Sequence, residues 1–139
     1  MIVAKQVITL EQAQLVRIIC NTVRHYMTQH TTFISSEDQS SWFNLVVKGN
    51  DTIYLYLYYD EYDSIVGYGM VNKGYGTLAL LEEFRNKGYG TQIYKHLHSL
   101  YNPLKIDIYC DNNPSLVSAI KAGFKIVSVD DKCVHLVME

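Results

Sequence analysis

A glycine-containing loop with two positive charges carries the clearest chemical signal in the sequence. It lies between an apolar run that predicts a strand, Thr77–Leu81, and a segment of helical periodicity that begins near Gly90. The first N–H groups of a helix have no partner within the helix, and the helix dipole favours negative charge at that end. Glycines let a bulky anion approach the backbone because they carry no Cβ. The loop therefore predicts phosphate binding, and a plain turn is the alternative interpretation.

The loop offers an anion backbone N–H groups, two cationic side chains and one hydroxyl. The residues concerned are Arg85, Lys87, Gly88, Tyr89, Gly90 and Thr91. No Gly-Lys-Ser/Thr triplet occurs here, so the loop is not a P-loop, and its two glycines are one fewer than a complete dinucleotide fingerprint requires. The residues thus indicate an anion site without identifying the anion.

A second motif, Asp111–Ser115, predicts the start of another helix. We expect Asn113 to be its N-cap and Pro114 its first helical residue, because asparagine accepts from the first free N–H groups and proline lacks one. Gly123 is expected to end this helix, since glycine readily adopts the left-handed conformation found just after a last turn. The two motifs therefore predict two helices, each preceded by a strand.

Taken together, the two motifs resemble the Gcn5-related N-acetyltransferase (GNAT) superfamily. The resemblance consists of Arg85–Gly90 with its helix, then Asn112-x-x-Ser115 and Lys121-x-Gly123-Phe124 at the family's spacing. Residues 77–124 match in order and separation. The resemblance implies an α/β (α+β) fold in which a mixed, mostly antiparallel sheet is splayed at the acetyl-CoA site and flanked by helices.

The resemblance also implies acetyl-CoA as co-substrate and assigns positions for it. The pyrophosphate would lie on Arg85–Gly90, and the pantetheine arm would pair with the strand edge at Leu80 and Leu81. That edge would be open because the next strand, Lys105–Cys110, is pushed away. Asn112 and Ser115 match positions that contact the arm, although the adjacent Asn113 is the better helix cap and either asparagine could serve.

The sequence departs from the family at the general acid. Many members carry a tyrosine seven residues after the motif asparagine, where its hydroxyl can protonate the leaving thiolate. Here that position is Ala119 when counted from Asn112, and Ile120 when counted from Asn113. The usual acid is therefore absent, which puts its assignment in doubt but not the fold.

Candidates for the general base follow from the need to remove a proton from the attacking amine. Glu82 and Glu83 come directly after the strand beside the expected thioester, and Glu82 is the first candidate. His135, in the last predicted strand, is the second. His96 and His98 diverge on their helix, so we expect them at the surface and expect no metal site.

The elements that must position these residues follow in the order β-α-α-β-β-β-α-β-α-β-β. Thr9–Gln12 reads as a capping box and Ser36–Gln39 as a second capping signal. The predicted segments are Ile2–Ile8, Leu10–Arg24, a helix opened by Ser36, Thr52–Tyr59, Ile65–Val71, Tyr75–Leu81, Gly90–Tyr101, Lys105–Cys110, Asn113–Ala122, Phe124–Val129 and Cys133–Met138.

Length and composition restrict the function classes. With 139 residues, 48% apolar and 19% charged, the chain can bury a core and is expected to form one domain over residues 1–139. Its formal net charge of −2, without a basic cluster, argues against a nucleic-acid partner. No membrane-length apolar run or signal peptide is visible, and three scattered cysteines suggest no disulfide framework. We therefore expect a cytoplasmic protein without a membrane partner.

The N-terminal part bears on the acceptor. Arg17–Asn21, Arg24, Tyr26–Met27, Ile34–Asp38 and Trp42–Phe43 resemble the opening of GNAT enzymes that acetylate amino sugars in nucleotide-sugar pathways, although core packing also explains Trp42–Phe43. We therefore expect acetyl transfer to a small-molecule primary amine, with an amino sugar or nucleotide-linked amino sugar favoured. Acetylation of a protein N-terminus or lysine, and a CoA-binding module without catalysis, are the alternatives.

A tyrosine ladder, Tyr54, Tyr56 and Tyr58, alternates with aliphatic residues along one predicted strand. Tyrosine combines an apolar ring with a polar tip, so it suits surfaces that are partly wet. The ladder is interpreted as a half-exposed second face of the sheet, a homodimer surface, or a stacking surface for the acceptor.

Overall fold

The computed structural model describes residues 2–24 and 32–139, which contain seven strands and four α-helices. They occur in the order that the sequence predicts, with bounds that differ by a few residues at most. The elements are β1 Val3–Gln6, α1 Leu10–Val23, α2 Ser36–Trp42, β2 Ile53–Tyr59, β3 Ile65–Asn72, β4 Tyr75–Leu80, α3 Tyr89–Leu100, β5 Leu104–Tyr109, α4 Asn113–Ala122, β6 Lys125–Val129 and β7 Cys133–Met138. A π-helical turn, Phe43–Val47, continues α2, and a 3₁₀ turn, Glu82–Phe84, follows β4.

One sheet in the order β1-β2-β3-β4-β5-β7-β6 connects all seven strands. Every neighbouring pair is antiparallel except β4 and β5, which are parallel and share a single register pair, Tyr75 with Lys105. On its other edge β5 pairs with β7 over six residues, Leu104–Tyr109. The sheet is therefore mixed and mostly antiparallel, and it divides after the first pair between β4 and β5. This confirms the predicted fold class and the predicted splay.

Side chains alternate across the sheet and pack in two clusters on its two sides. Leu55 and Leu57 of β2 face α1 and α2, whereas Tyr58 of the same strand faces α3 and α4. We call these sides the α1 face and the α3 face. Tyr58 is fully buried, and its hydroxyl lies 2.7 Å from Nδ1 of His96 on α3. The expectation of a free tyrosine ladder is therefore wrong at Tyr58, because α3 covers it.

The helix starts show which sequence signals were correct. The Thr9–Gln12 capping box is present, with both reciprocal hydrogen bonds. Helix α2 is capped by Ser35, whose hydroxyl accepts from the Asp38 N–H at 3.1 Å, so the second capping signal begins one residue earlier than predicted. Two neighbouring serines can both serve as caps on composition alone, and the backbone conformation at Ser35 decides between them.

Side-chain hydrogen bonds tie α1 to α2 and to the segment before it: the Gln39 amide of α2 donates to the Ala13 carbonyl of α1 at 2.6 Å, and Asn21 of α1 holds Ile34. The Asn21 amide donates to the Ile34 carbonyl at 2.9 Å, and its oxygen accepts from the Ile34 N–H at 2.8 Å.

The expectation attached to Tyr26–Met27 lies outside the described residues. Over the described ranges, no helix has the length and apolar character needed to cross a bilayer.

Candidate active site

The division between β4 and β5 opens a gap that gathers several of the predicted site residues. Thr77 and Leu78 of β4 line one side and Asp107 of β5 lines the other. Asn112 and Ser115, at the start of α4, contribute from the end of β5, as the resemblance implies. Tyr94 of α3, which the sequence analysis did not single out, also lines the gap. The gap therefore combines an open strand edge with several polar side chains.

The backbone of β4 turns its polar groups toward this gap at alternate residues. The Leu81 N–H donates to the Val66 carbonyl at 3.0 Å, so Leu81 faces β3. In an antiparallel ladder the neighbouring pairs then point their N–H and C=O groups away from the partner, which directs those of Leu78 and Leu80 toward β5. Leu80 thus lies where the sequence predicts an open edge. The Leu81 N–H is already used by β3 and is not available to the pantetheine arm, so the expected contact at Leu81 stays a prediction for its other groups.

The N-terminus of α3 is open toward solvent at the predicted loop. Gly88 is its N-cap, with φ +84°, and no side chain caps the helix. The first intrahelical bond runs from the Gln92 N–H to the Gly88 carbonyl at 3.3 Å, so the N–H groups of residues 88–91 have no partner within the helix. Asn86 is also left-handed, with φ +63°. Successive N–H groups near left-handed residues form a concavity suited to an anion.

The missing side chain of Gly90 faces a different neighbour from the one predicted, whereas the predicted role of its N–H stays a prediction. A Cβ added there would lie 3.2 Å from Oγ and 3.3 Å from Cβ of Ser118, so it would point into α4 and not toward an anion. Gly90 therefore allows α3 and α4 to pack closely. At Gly88 an added Cβ would have no atom within 4 Å, and glycine is favoured there by the positive φ alone.

The hydroxyl of the loop, on Thr91, and its two cations, Arg85 and Lys87, each contact a neighbouring part of the protein. The Thr91 hydroxyl donates to the Ser118 carbonyl at 3.2 Å, so its proton serves helix packing. Arg85 is half-buried, and its guanidinium donates to the Leu80 carbonyl at 3.4 Å, at the edge of the gap. Lys87 is exposed, with its ammonium 5.8 Å from the centre of the Phe84 ring. Both cations thus flank the open end of α3.

The start of α4 corrects the predicted cap. Asn112 is the N-cap, its side-chain oxygen accepting from the Ser115 N–H at 3.4 Å, and Asn113 is the first helical residue. The Ser115 hydroxyl lies 3.2 Å from the Tyr94 hydroxyl. Ala119, at the position where the resemblance predicts a tyrosine, is fully buried. A phenol therefore does reach the gap, but it comes from α3.

His135 is occupied by two carboxylates. Its Nδ1 lies 2.6 Å from Asp107 and its Nε2 lies 2.7 Å from Asp130. The hydrogen bond to Asp107, followed by the one to Asp130, raises the pKa of His135. Both ring nitrogens are thus engaged by carboxylates, so neither is open to take a proton from an amine, and this geometry disfavours His135 as the base itself. Asp107, its partner in the gap, was missed because one aspartate in a strand gives no sequence signal.

The other acidic and histidine candidates lie elsewhere. Glu82 and Glu83 are exposed in the 3₁₀ turn after β4. His96 bonds Tyr58, and His98 has a buried Nε2 for which the described residues supply no hydrogen-bond partner, so the expectation of two surface histidines is wrong. Over residues 2–24 and 32–139, no group of three or more histidine, cysteine, aspartate or glutamate side chains is arranged to hold a metal ion.

The family is decided by comparison with known proteins. A family model described as the acetyltransferase (GNAT) family matches residues 20–124. The chain belongs to this family. Spermidine N-acetyltransferase from Vibrio cholerae, in complex with CoA and spermine, is similar to this GNAT protein in structure, with a TM-score of 0.82, 9% identity, and coverage of 99% of this chain and 94% of that chain. A search of curated protein sequences found no match.

A second similar structure is the aminoglycoside acetyltransferase AAC(6')-Ib with coenzyme A. Its TM-score is 0.76 at 14% identity, with 99% of this chain and 94% of that chain covered.

As a GNAT acetyltransferase, the protein uses acetyl-CoA as its co-substrate. The described residues fit that molecule, because α3 begins with N–H groups that have no partner within the helix, and the strand that precedes it has an edge open toward the gap at Leu78 and Leu80.

Proposed function

We propose that this acetyltransferase transfers the acetyl group to the primary amine of a small molecule that binds on the α1 face. The carrying observation is that two cavities are lined by residues that pair directly across neighbouring strands. Thr77 lines the gap, and its cross-strand partner Met70 lines a pocket of about 220 Å³ between α1, α2 and β3. Directly opposed side chains on neighbouring strands lie about 5 Å apart at Cβ. An amine held in the pocket is thus close to a thioester held in the gap.

The pocket lining suits an amine attached to an apolar body. The rings of Phe33, Trp42 and Tyr68 contribute most of its aromatic surface, and Asp38 is the carboxylate among the described lining residues. Burial raises the pKa of the Cys20 thiol to about 11, so the pocket floor stays neutral. Phe33 and Asp38 are exposed and form the mouth. A cationic amine would be attracted to Asp38 and to the ring faces, while its body displaces water from apolar walls.

Asp107 supports direct attack by the amine. It alternates with Ile106 and Ile108, which pack on the α3 face, so its carboxylate lies on the α1 face beside the gap. A carboxylate there can accept the proton that the amine loses as its nitrogen bonds to the thioester carbon. The N–H groups that β4 turns into the gap can stabilise the oxyanion. Glu82, in the turn beyond the strand, remains the competing base.

The nature of the acceptor stays a proposal. The N-terminal resemblance favours an amino sugar as the acceptor. The apolar walls of the pocket favour an amine that carries an aromatic or aliphatic group. The similar structures are of enzymes named for spermidine and for aminoglycosides, which are small-molecule amines. We propose the apolar amine as first candidate and the amino sugar as second. Peptide acetylation has less support, because the pocket has room for a compact group.

The experiment is a thiol-release assay with acetyl-CoA and a panel of amines. The panel contains arylalkylamines, spermidine, glucosamine, a nucleotide-linked amino sugar and a peptide with a free N-terminus. Turnover that is fastest with an arylalkylamine or alkylamine supports the proposal, and preference for the amino sugars supports the second candidate. Turnover with the peptide alone contradicts a small-molecule acceptor. No turnover with any amine, together with tight CoA binding, indicates a CoA-binding module.

Asp38 provides the matched pair of variants for the pocket. Asp38→Asn removes the carboxylate at the mouth, and Glu37→Gln removes the neighbouring carboxylate, which does not line the pocket. We expect Asp38→Asn to raise the acceptor KM by about 2-fold to 5-fold with an unchanged KM for acetyl-CoA, on the scale of one exposed charge contact. Equal acceptor KM values for the two variants would contradict binding in this pocket.

A further inference from the structure

The gap contains a buried phenol that the acetyl-transfer scheme above does not use. Tyr94 is 4% exposed and lines the gap from α3, on the side opposite Asp107. Its ring packs edge-on against Phe124, with 5.2 Å between the ring centres, and this contact fixes the ring. Its hydroxyl lies 3.2 Å from the Ser115 hydroxyl. The phenol is therefore held in one place by apolar contacts and oriented by one polar contact.

The contacts along α3 and α4 explain how this phenol reaches the gap. Gly90 and Thr91 meet α4 at Ser118, and one turn later Tyr94 meets α4 at Ser115. The absence of a side chain at Gly90 lets the two helices approach, and Tyr94 and the buried Ala119 belong to the same cluster on the α3 face. This arrangement brings a hydroxyl to the gap from the opposite helix.

We propose that the Tyr94 hydroxyl donates a hydrogen bond to the sulfur of CoA as the thioester is cleaved. The proposal rests on the proposed acetyl transfer. The amine nitrogen forms a bond to the carbonyl carbon, and the carbonyl π electrons move to oxygen. When they return, the C–S bond breaks and its electron pair stays on sulfur, where the Tyr94 O–H stabilises the charge. The proton lost by the amine leaves through the carboxylate on the α1 face, and the thiolate is protonated by solvent after release.

The protonation state of Tyr94 agrees with this role. Burial raises the pKa of Tyr94 to about 12, and the hydrogen bond with Ser115 opposes that rise. The phenol therefore keeps its proton throughout the neutral range and remains a donor. A full transfer of the proton to a thiolate of much lower pKa would be uphill, so hydrogen bonding, rather than complete proton transfer, is the expected contribution.

The test compares Tyr94→Phe with Tyr58→Phe. Both variants remove one buried hydroxyl on the α3 face, but Tyr58 bonds His96 away from the gap. The first readout needs no acceptor: the pKa of the thiol of bound CoA, followed by the ultraviolet absorbance of the thiolate. We expect this pKa to rise by about one unit in Tyr94→Phe, the scale of a lost hydrogen bond to a charge, and to stay at the wild-type value in Tyr58→Phe.

The second readout is turnover with an active amine. We expect Tyr94→Phe to lower kcat by up to about tenfold, the factor that corresponds to one pKa unit, with an unchanged KM for acetyl-CoA, and Tyr58→Phe to leave kcat unchanged. Wild-type thiol pKa in Tyr94→Phe, or an equal loss of kcat in both variants, would overturn the proposal. If Tyr94→Phe does not fold, Ser115→Ala replaces it: a raised thiol pKa supports the role and an unchanged one overturns it. Failure of every amine to react would refute acetyl transfer while leaving the thiol titration informative.

Discussion

Two glycines of the anion loop, Gly88 and Gly90, should respond in opposite ways to alanine. At Gly88 the substitution meets no atom within 4 Å, but it places a Cβ on a backbone with φ +84°. A left-handed conformation costs an ordinary L-residue about 1–2 kcal/mol. Because Gly88 is exposed at the end of a loop, the free protein can relax out of this conformation, and CoA binding must then restore it. The Kd for CoA should rise by about 5-fold to 30-fold, since 1.4 kcal/mol is a factor of ten.

At Gly90 the penalty should appear in stability. The new Cβ would lie 3.2 Å from Oγ of Ser118, which is tighter than ordinary contact, so α3 and α4 must separate slightly. Overpacking of this kind costs about 1–3 kcal/mol, and for a chain of this size each kcal/mol lowers Tm by roughly 3 °C. Gly90→Ala should therefore lower Tm by about 3–9 °C, while CoA affinity in the folded protein changes little.

Thermal unfolding and calorimetric titration with CoA measure both quantities on the same samples. The expected pattern is a loss of affinity with a small change in Tm for Gly88→Ala, and the reverse for Gly90→Ala. Ser118→Gly, which removes the side chain that the new Cβ would approach, should restore part of the Tm lost in Gly90→Ala. If Gly90→Ala instead loses affinity without losing Tm, its Cβ faces the ligand and the packing argument is refuted.

Three further outcomes test the carboxylates and the histidine. Asp107→Asn should lower kcat by about 10²-fold with unchanged CoA affinity; if Glu82→Gln does so instead, Glu82 is the base. His135→Gln should lower the free energy of unfolding more at acid pH than at alkaline pH. The raised pKa of His135 gives a stabilisation that is complete below pH 6.5 and is lost as pH rises through the folded pKa. Denaturation in urea at several pH values would measure this difference. Hydrogen bonds from the backbone at Cys133 and from His135 lower the pKa of Asp130 to about 2. Asp130 should therefore contribute stability that disappears as pH falls from 3.8 toward 2, and Asp130→Asn should abolish that loss.

The sequence predicts the fold closely because its local signals agree with one another. The capping box at Thr9, the alternation in β2 and the glycine that ends α4 all depend on nearest neighbours, and the structure retains each of them. The order of elements follows from the same local patterns, and the splay follows from the resemblance. The errors fall where two adjacent residues offer the same chemistry: Ser35 and Ser36, or Asn112 and Asn113. There the backbone conformation decides, and composition does not reveal it.

The candidate site was only partly predictable because its side chains come from distant parts of the chain. Tyr94 and Ser115 are 21 residues apart, and Asp107 and His135 are 28 apart. No local periodicity brings such pairs together. The loop glycines were found, but the direction of the missing Cβ at Gly90 depends on how α4 packs. Sequence patterns therefore located the coenzyme side of the site better than the groups that would handle protons.

The division between β4 and β5 leaves an opening through the sheet. Asp107 and the pocket proposed for the acceptor lie on one side of the sheet, and Tyr94 and Ser115 lie on the other. In the proposed reaction the amine and the coenzyme would therefore enter from opposite sides, and the amide and the free thiol would leave by opposite sides. Neither product would need to leave before the second substrate arrives. Initial-rate patterns should consequently be those of a ternary complex, with intersecting double-reciprocal lines, and neither product should have to wait for the other to depart.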